Sequence, residues 1–293
     1  MSGGWSLYII VLTVSNIAAA LWLLFWQRKK RVEKHGQTLG HEFDGIQELD
    51  NPLPRWWLGL YVGTVAFSVA YLVLYPGLGS FAGVLGWTQR GQYDGEVDEA
   101  QRQYGPIYTV LAAKPFEELA QDELAQRIGG RLFAINCATC HGSDGRGGSG
   151  FPDLTDGDWL YGGDAATIEA SILNGRSGLM PPFAPAVGGE DGVRQVVAYV
   201  RSLSGKPADT ALVAAGREKY MQVCIACHGM EGKGMPALGA PNLTDDIWLY
   251  GGSEEAIAEG LYKGRNGKMP PHRDILGPER ARILAAYVHS LSR

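Results

Sequence analysis

The chain has 293 residues, 45% of them hydrophobic, a length that suits about two domains. Its net charge is −5 at pH 7, which excludes the strongly basic balance expected of a nucleic-acid partner. Its 41 glycines, concentrated after residue 128, favour closely wound loops in that part of the chain.

Trp5 to Trp26 is a run of 22 residues without a charge, long enough to cross a bilayer as a helix. Trp5 and Tyr8 at one end and Trp22 and Trp26 at the other suit the two interfaces. A cleaved signal peptide would carry its basic residues before the apolar run. Here Arg28, Lys29, Lys30, Arg31 and Lys34 follow it, so that end is expected in the cytoplasm and the N-terminus outside. A second uncharged run, Trp56 to Tyr75, ends at Pro76-Gly77 and must cross back. Residues 1–90 thus read as a membrane anchor in lipid, with spans at about 5–26 and 56–75 and a cytoplasmic loop between them. Gly59, Gly63, Ala66 and Ala70 form a small face suited to close helix packing, and Asn16 is a mid-membrane amide that seeks a partner.

Residues 91–123 carry Asp94, Glu96, Asp98, Glu99, Glu117, Glu118, Asp122 and Glu123 against Arg102 and Lys114. The reading is an acidic, weakly patterned periplasmic linker with a turn at Gly105-Pro106.

Beyond it lies a repeat. Cys137-Ala-Thr-Cys140-His141 recurs as Cys224-Ile-Ala-Cys227-His228, 87 positions on. Pro152-Asp-Leu-Thr-Asp156 recurs from Pro241, Trp159-Leu-Tyr-Gly-Gly163 from Trp248, and Gly175-Arg-Ser-Gly-Leu-Met-Pro-Pro182 from Gly264. Cys-x-x-Cys-His is the attachment signature of c-type haem. Two thiols at that spacing form thioethers with the two vinyls of one porphyrin, and the next His supplies an axial nitrogen. Zinc-ribbon pairs lie far closer together than these, a thioredoxin-like motif needs a βαβ setting, and structural disulfides leave the His after each pair unexplained. Two covalent haem c groups are expected, one per repeat, on tandem domains at 124–206 and 207–293. The other axial ligand is expected from Met180 and Met269, which hold the same repeat position 39 and 41 residues beyond His141 and His228. Each is assigned to the His of its own copy, and His/Met ligation favours a raised potential. Arg176 and Arg265 suit haem propionates, and Trp159, Tyr161, Trp248 and Tyr250 suit the pocket walls with polar handles toward the same carboxylates.

Both repeats resemble class I cytochrome c over their whole length. The resemblance implies an all-α fold, with the helix before each motif crossing the terminal helix of its copy at Tyr199 or Tyr287. It also implies that the carbonyls of Pro152 and Pro241 accept the Nδ1–H of His141 and His228. The expected fold class is therefore mostly α: two N-terminal transmembrane helices followed by two tandem cytochrome c domains. Asp44-Gly-Ile-Gln-Glu-Leu-Asp-Asn-Pro-Leu-Pro-Arg-Trp-Trp57, Tyr71-Leu-Val-Leu-Tyr-Pro-Gly-Leu-Gly79 and Gly86-Trp87 narrow the resemblance. With two haem c motifs behind them, they are similar to the CcoP/FixP dihaem subunit of the cbb3-type cytochrome c oxidase.

That resemblance implies a bacterial inner-membrane protein, not catalytic alone, with both haem domains in the periplasm. It would take electrons from a soluble or membrane-bound cytochrome c donor. It would pass them through a monohaem cytochrome c subunit to the haem b and copper subunit that reduces oxygen. Two other classes compete: a free-standing membrane-anchored carrier or dehydrogenase cytochrome subunit, and a dihaem peroxidase, which needs an iron that can open for peroxide.

Overall fold

The computed structural model describes residues 2–29, 38–49 and 54–292. Lys30, Arg31 and Lys34 of the basic cluster, and Asp50 to Leu53 ahead of the second span, lie outside those residues. The chain forms two compact units, Met1–Gln103 and Tyr104–Arg293.

In the first unit the uncharged runs form helices α1, Gly3–Lys29, and α2, Arg55–Leu74. Both are long and apolar enough to cross a membrane. The N–H of Ser80 donates to Ser6 Oγ at 2.9 Å, which ties the start of α1 to the segment leaving α2. Asn16 finds its partner within its own helix rather than across helices: its amide donates to the Leu12 carbonyl at 2.7 Å. The substitute costs nothing in chain entropy, because a side chain one turn on is already in reach. Between the helices lie strands β1, Thr38–Phe43, and β2, Ile46–Leu49, paired antiparallel.

The acidic connector is helical, not a loose tether. Helix α3 runs Gln89–Ala112 through Pro106, followed by α4, Phe116–Leu119. The acidic face is solvated as read, and two of its residues pair along the helix, Asp94 with Arg90 and Glu99 with Arg102, at spacings that support one. The end of α3 is then pinned by burial of Leu111 and by Thr109 Oγ1 donating to Glu279 at 2.8 Å.

In the second unit each repeat gives the same series. The first has α5, Glu123–Asn136; α6, Ala138–His141; α7, Ala165–Asn174; β3, Arg176–Met180; and α8, Gly189–Leu203. The second has α9, Thr210–Val223; α10, Ile225–His228; α11, Glu254–Lys263; β4, Arg265–Met269; and α12, Arg273–Leu291, broken at Gly277. Asp122 starts α5 by accepting from the Ala125 N–H at 2.9 Å, and Asp209 starts α9 in the same way, each satisfying a donor the helix itself cannot.

The limits 124–206 and 207–293 describe the sequence repeat, but the packing is exchanged between its copies. Helix α5 packs on α12, and α8 packs on α9. One core joins Phe133, Ile168 and Ile172 of the first copy to Ile283, Leu284 and Val288 of the second. The other joins Val193, Val196 and Tyr199 of the first copy to Tyr220 and Leu261 of the second. The expected crossing of α5 at Tyr199 is therefore made at Tyr287, and that of α9 at Tyr199.

The crossover runs through the loops at Met180 and Met269, each of which precedes a proline pair that holds the preceding residue extended. Strands β3 and β4 pair antiparallel about Gly178 opposite Gly267. Beyond them the N–H groups of Phe183 and Ala184 donate to the Leu261 carbonyl at 2.8 and 3.0 Å, and the His272 N–H donates to the Ile172 carbonyl at 3.0 Å. Gly175 and Gly264, at φ 70° and 73°, lie against the backbone of the opposite Met-Pro-Pro segment, where any Cβ would collide.

Candidate functional site

Each Cys-x-x-Cys-His motif sits where the helix before it ends. Cys137 caps α5 and Cys224 caps α9, and the next turn, α6 or α10, carries the outer Cys and the His. The inner thiols are half-buried, and burial above all pushes Cys137 and Cys224 up to about 11, so both are held neutral. Cys140 and Cys227 are exposed. Among the described residues no group of three or more His, Cys, Asp or Glu is gathered as a metal cluster. Cys137 and Cys224 pack against different cores.

The histidines are fixed by the backbone. His141 Nδ1 lies 3.0 Å from the Pro152 carbonyl and His228 Nδ1 3.1 Å from the Pro241 carbonyl. A carbonyl only accepts, so Nδ1 carries the proton and Nε2 is the lone-pair nitrogen available to a metal. Burial lowers the His228 pKa, against the hydrogen bond to Pro241 that raises it, and so favours the neutral ring that ligation requires.

The methionines stand on the opposite copy's side from that expected. Met269 packs against the core that holds Cys137, and Met180 against the core that holds Cys224. Each Met is thus seated in the core that holds the other copy's Cys, not in that of its own copy. A repeat in sequence fixes equivalent positions, not which of two equivalent partners each position meets.

Trp159 lines the first core beside Cys137 and Trp248 the second beside Cys224. The indole Nε1 of Trp248 is buried with no hydrogen-bond partner among the described residues, a costly state that an acidic group on a ligand would relieve. With the His Nε2 atoms left available, this donor makes the residues present fit a haem and its propionates. Arg176 and Arg265 are less free than expected. Arg176 donates to Ser171 Oγ at 2.8 Å and stacks on Tyr161, its carbon 4.7 Å from the ring centre. Arg265 donates to the Ala256 carbonyl at 2.7 Å and stacks on Tyr250 at 4.4 Å. These contacts tie each arginine to its own copy's preceding helix, while the rings reach loops of the other copy, Tyr161 against Gly239 and Tyr250 against Gly150.

A cleft of about 400 Å³ runs along that seam, lined by both prolines, Trp248 and Tyr250 and by Asp156 and Asp158. The two carboxyls were not singled out in the sequence. Burial raises both, and Asp245 of the second copy adds to it. The Asp-x-Asp spelling carried no hint that a third carboxylate would face it.

Comparison with known proteins decides the family. Residues 35–82 match the N-terminal domain of cytochrome oxidase-cbb3, FixP. Residues 124–200 and 211–288 each match cytochrome C oxidase, cbb3-type, subunit III. The chain is 47% identical over its full length to the cbb3-type cytochrome c oxidase subunit CcoP of Rubrivivax gelatinosus, covering 96% of that protein. The chain belongs to the CcoP/FixP family of cbb3-type cytochrome c oxidase subunits. It is also 41% identical to FixP of Azorhizobium caulinodans over 87% of the chain and 92% of the relative. To CcoP of Rhodobacter capsulatus it is 37% identical over 90% and 98%. Membership makes the matched segments cytochrome c domains, which implies haem c binding, and gives α1 the role of a membrane anchor.

Proposed function

We propose that the chain is the dihaem electron-transfer subunit of a cbb3-type oxidase in a bacterial inner membrane. It takes electrons from a periplasmic or membrane-bound cytochrome c. It hands them through a monohaem cytochrome c subunit to the haem b and copper subunit that reduces oxygen. The basic residues after α1 place that loop in the cytoplasm and the N-terminus and both cytochrome domains outside, where haem c is attached.

The observation that carries this reading is the exchanged methionine. Each site has a backbone-held His on one side and a Met from the other copy packed into the same core. His141 with Met269, and His228 with Met180, would hold one haem c each, with Cys137 and Cys140 or Cys224 and Cys227 as the covalent anchors. Haem c supplies one-electron redox chemistry at its iron, and His/Met ligation favours the reduced form. The chain's own residues orient the imidazoles through Pro152 and Pro241 and offer Trp248 and Trp159 toward the carboxylates. His141 and Met269, and His228 and Met180, would hold the two groups, and the chemistry this arrangement would support is electron transfer. A peroxidase needs a ligand that leaves; a methionine wedged between two prolines and a foreign core is poorly suited to leave.

Purification through this chain tests the proposal. The complex should contain haem b and copper in addition to haem c, and reduced cytochrome c should drive oxygen uptake. A chain isolated with haem c alone would favour the membrane-anchored carrier.

A further inference from the structure

The β1–β2 hairpin between the spans has no role in the haem sites. Its two-residue turn places Asp44 and Gly45 at φ 51° and 85°, the left-handed pair that suits a tight hairpin. Phe43 and Ile46 face each other across the turn and are 66% and 72% exposed, with Leu49 at 53%. No third strand pairs with it among the described residues. A lone two-stranded hairpin is at best marginal in water, so this one, with its apolar pair bare, calls for a surface to lie against.

Charge decides which surface. Residues 38–50 contain Glu42, Asp44, Glu48 and Asp50 and no Lys or Arg. Glu42 and Asp44 are exposed at the tip, with Gln47 donating to Glu42 at 3.3 Å across the strands. The cytoplasmic leaflet is negative and repels such a tip. The cytoplasmic loops of membrane proteins are enriched in Lys and Arg and attract it. The hairpin and α2 also fall within one matched family segment, residues 35–82, so docking tip and span form one unit.

We infer that the hairpin tip docks on the basic cytoplasmic loops of a second membrane-embedded subunit. Phe43 and Ile46 are the apolar anchors, and Glu42 and Asp44 pair with its Lys and Arg. The inference rests on the subunit reading and on the loop being cytoplasmic.

The test uses the full chain in its membrane complex. Phe43→Ser with Ile46→Ser should lower the yield of co-purified membrane subunits roughly tenfold, the scale of losing about 1.4 kcal/mol at a contact, with haem c content unchanged. Glu42→Lys should weaken the complex more at low salt than at high salt, because the new repulsion is screened by ions. A polarity-sensitive dye on Ile46→Cys should shift to the blue in the complex and not in the isolated chain in anionic nanodiscs. An equal shift in those nanodiscs makes lipid the occupant and overturns the inference. So does a double variant that keeps its partners at wild-type yield. A wild-type chain that brings down no second membrane protein overturns the subunit reading, and the inference with it.

Discussion

Gly129 of the first copy lies under Tyr287 of the second, so close that a Cβ on the glycine would collide with the Cβ of the tyrosine. Gly216 is related in the same way to Tyr199 and to the Gln195 carbonyl. Each glycine lets a helix before a haem motif cross the terminal helix of the other copy at backbone distance, and these two crossings hold the exchanged halves together.

Gly129→Ala should therefore destabilise the cytochrome unit by about 1–3 kcal/mol, the cost of overpacking a tight core, read as a fall in the thermal midpoint of the haem-loaded protein. A double-mutant cycle of Gly129→Ala with Tyr287→Gly, which removes the colliding Cβ, should show a coupling of about 0.5 kcal/mol or more. The same cycle with Tyr199→Gly should be additive. The reverse pattern would mean that each copy folds on itself.

What the sequence made legible follows from what a repeat encodes. The Cys-x-x-Cys-His motifs, the prolines that hold His141 and His228, and the equivalent positions of Met180 and Met269 are all local. The motifs were read from adjacent residues, the methionines from the repeat register and the prolines from the resemblance to class I cytochrome c, and the family match agrees with the cytochrome c reading of both segments. The exchange was not legible, because Tyr199 and Tyr287 are equivalent partners for Gly129 and only the direction of the chain after Met-Pro-Pro chooses between them. The helix at Gln89–Ala112 was hidden by its acidic residues and by Gly105-Pro106, which reads as a turn. Burial of Leu111 and pairing of its charges outweigh that signal.

The seam between the copies should respond to pH. Asp158 is raised from the ordinary carboxylate value of 3.8 by burial, then by Asp245 and Asp156. A carboxyl whose folded pKa is raised favours the fold while protonated and opposes it once ionised, so its contribution is lost as pH rises through the carboxylate range. Asp158→Asn should therefore raise the thermal midpoint at pH 7 and change it little at pH 3. Equal shifts at both pH values would mean that the carboxyl is not strained in the folded protein.

Gly59 and Gly63 on α2 have no atom within 4 Å of where a Cβ would stand. A Cβ added there meets no described atom, so the space beside it is open to a neighbour from outside the chain. If this face packs on another membrane subunit, Gly59→Leu with Gly63→Leu should release the chain from the complex while it stays in the membrane and keeps its haem. Co-purification at wild-type yield would leave the small face facing lipid.

The exchanged methionines make the sharpest prediction. Met269 packs against the core that Cys137 also lines, and Met180 against that of Cys224, so each distal ligand should act on the haem of the other copy. A chain with Cys224→Ala and Cys227→Ala keeps only the attachment at Cys137 and Cys140, which isolates one redox centre. In that chain Met269→His should lower the remaining potential, since imidazole stabilises ferric iron relative to a thioether. The drop should be on the order of 0.1 V, a fraction of the ~0.8 V that axial ligands span. Met180→His in the same chain should leave the potential where it was. The reciprocal chain, with Cys137→Ala and Cys140→Ala, should reverse the two results. It also guards against one half misfolding without its haem, because a merely damaged fold would not show opposite responses in the two backgrounds. Redox titration of the four combinations decides the matter: if Met180 governs the centre on Cys137, ligation stays within each copy and the packing does not carry the ligands across.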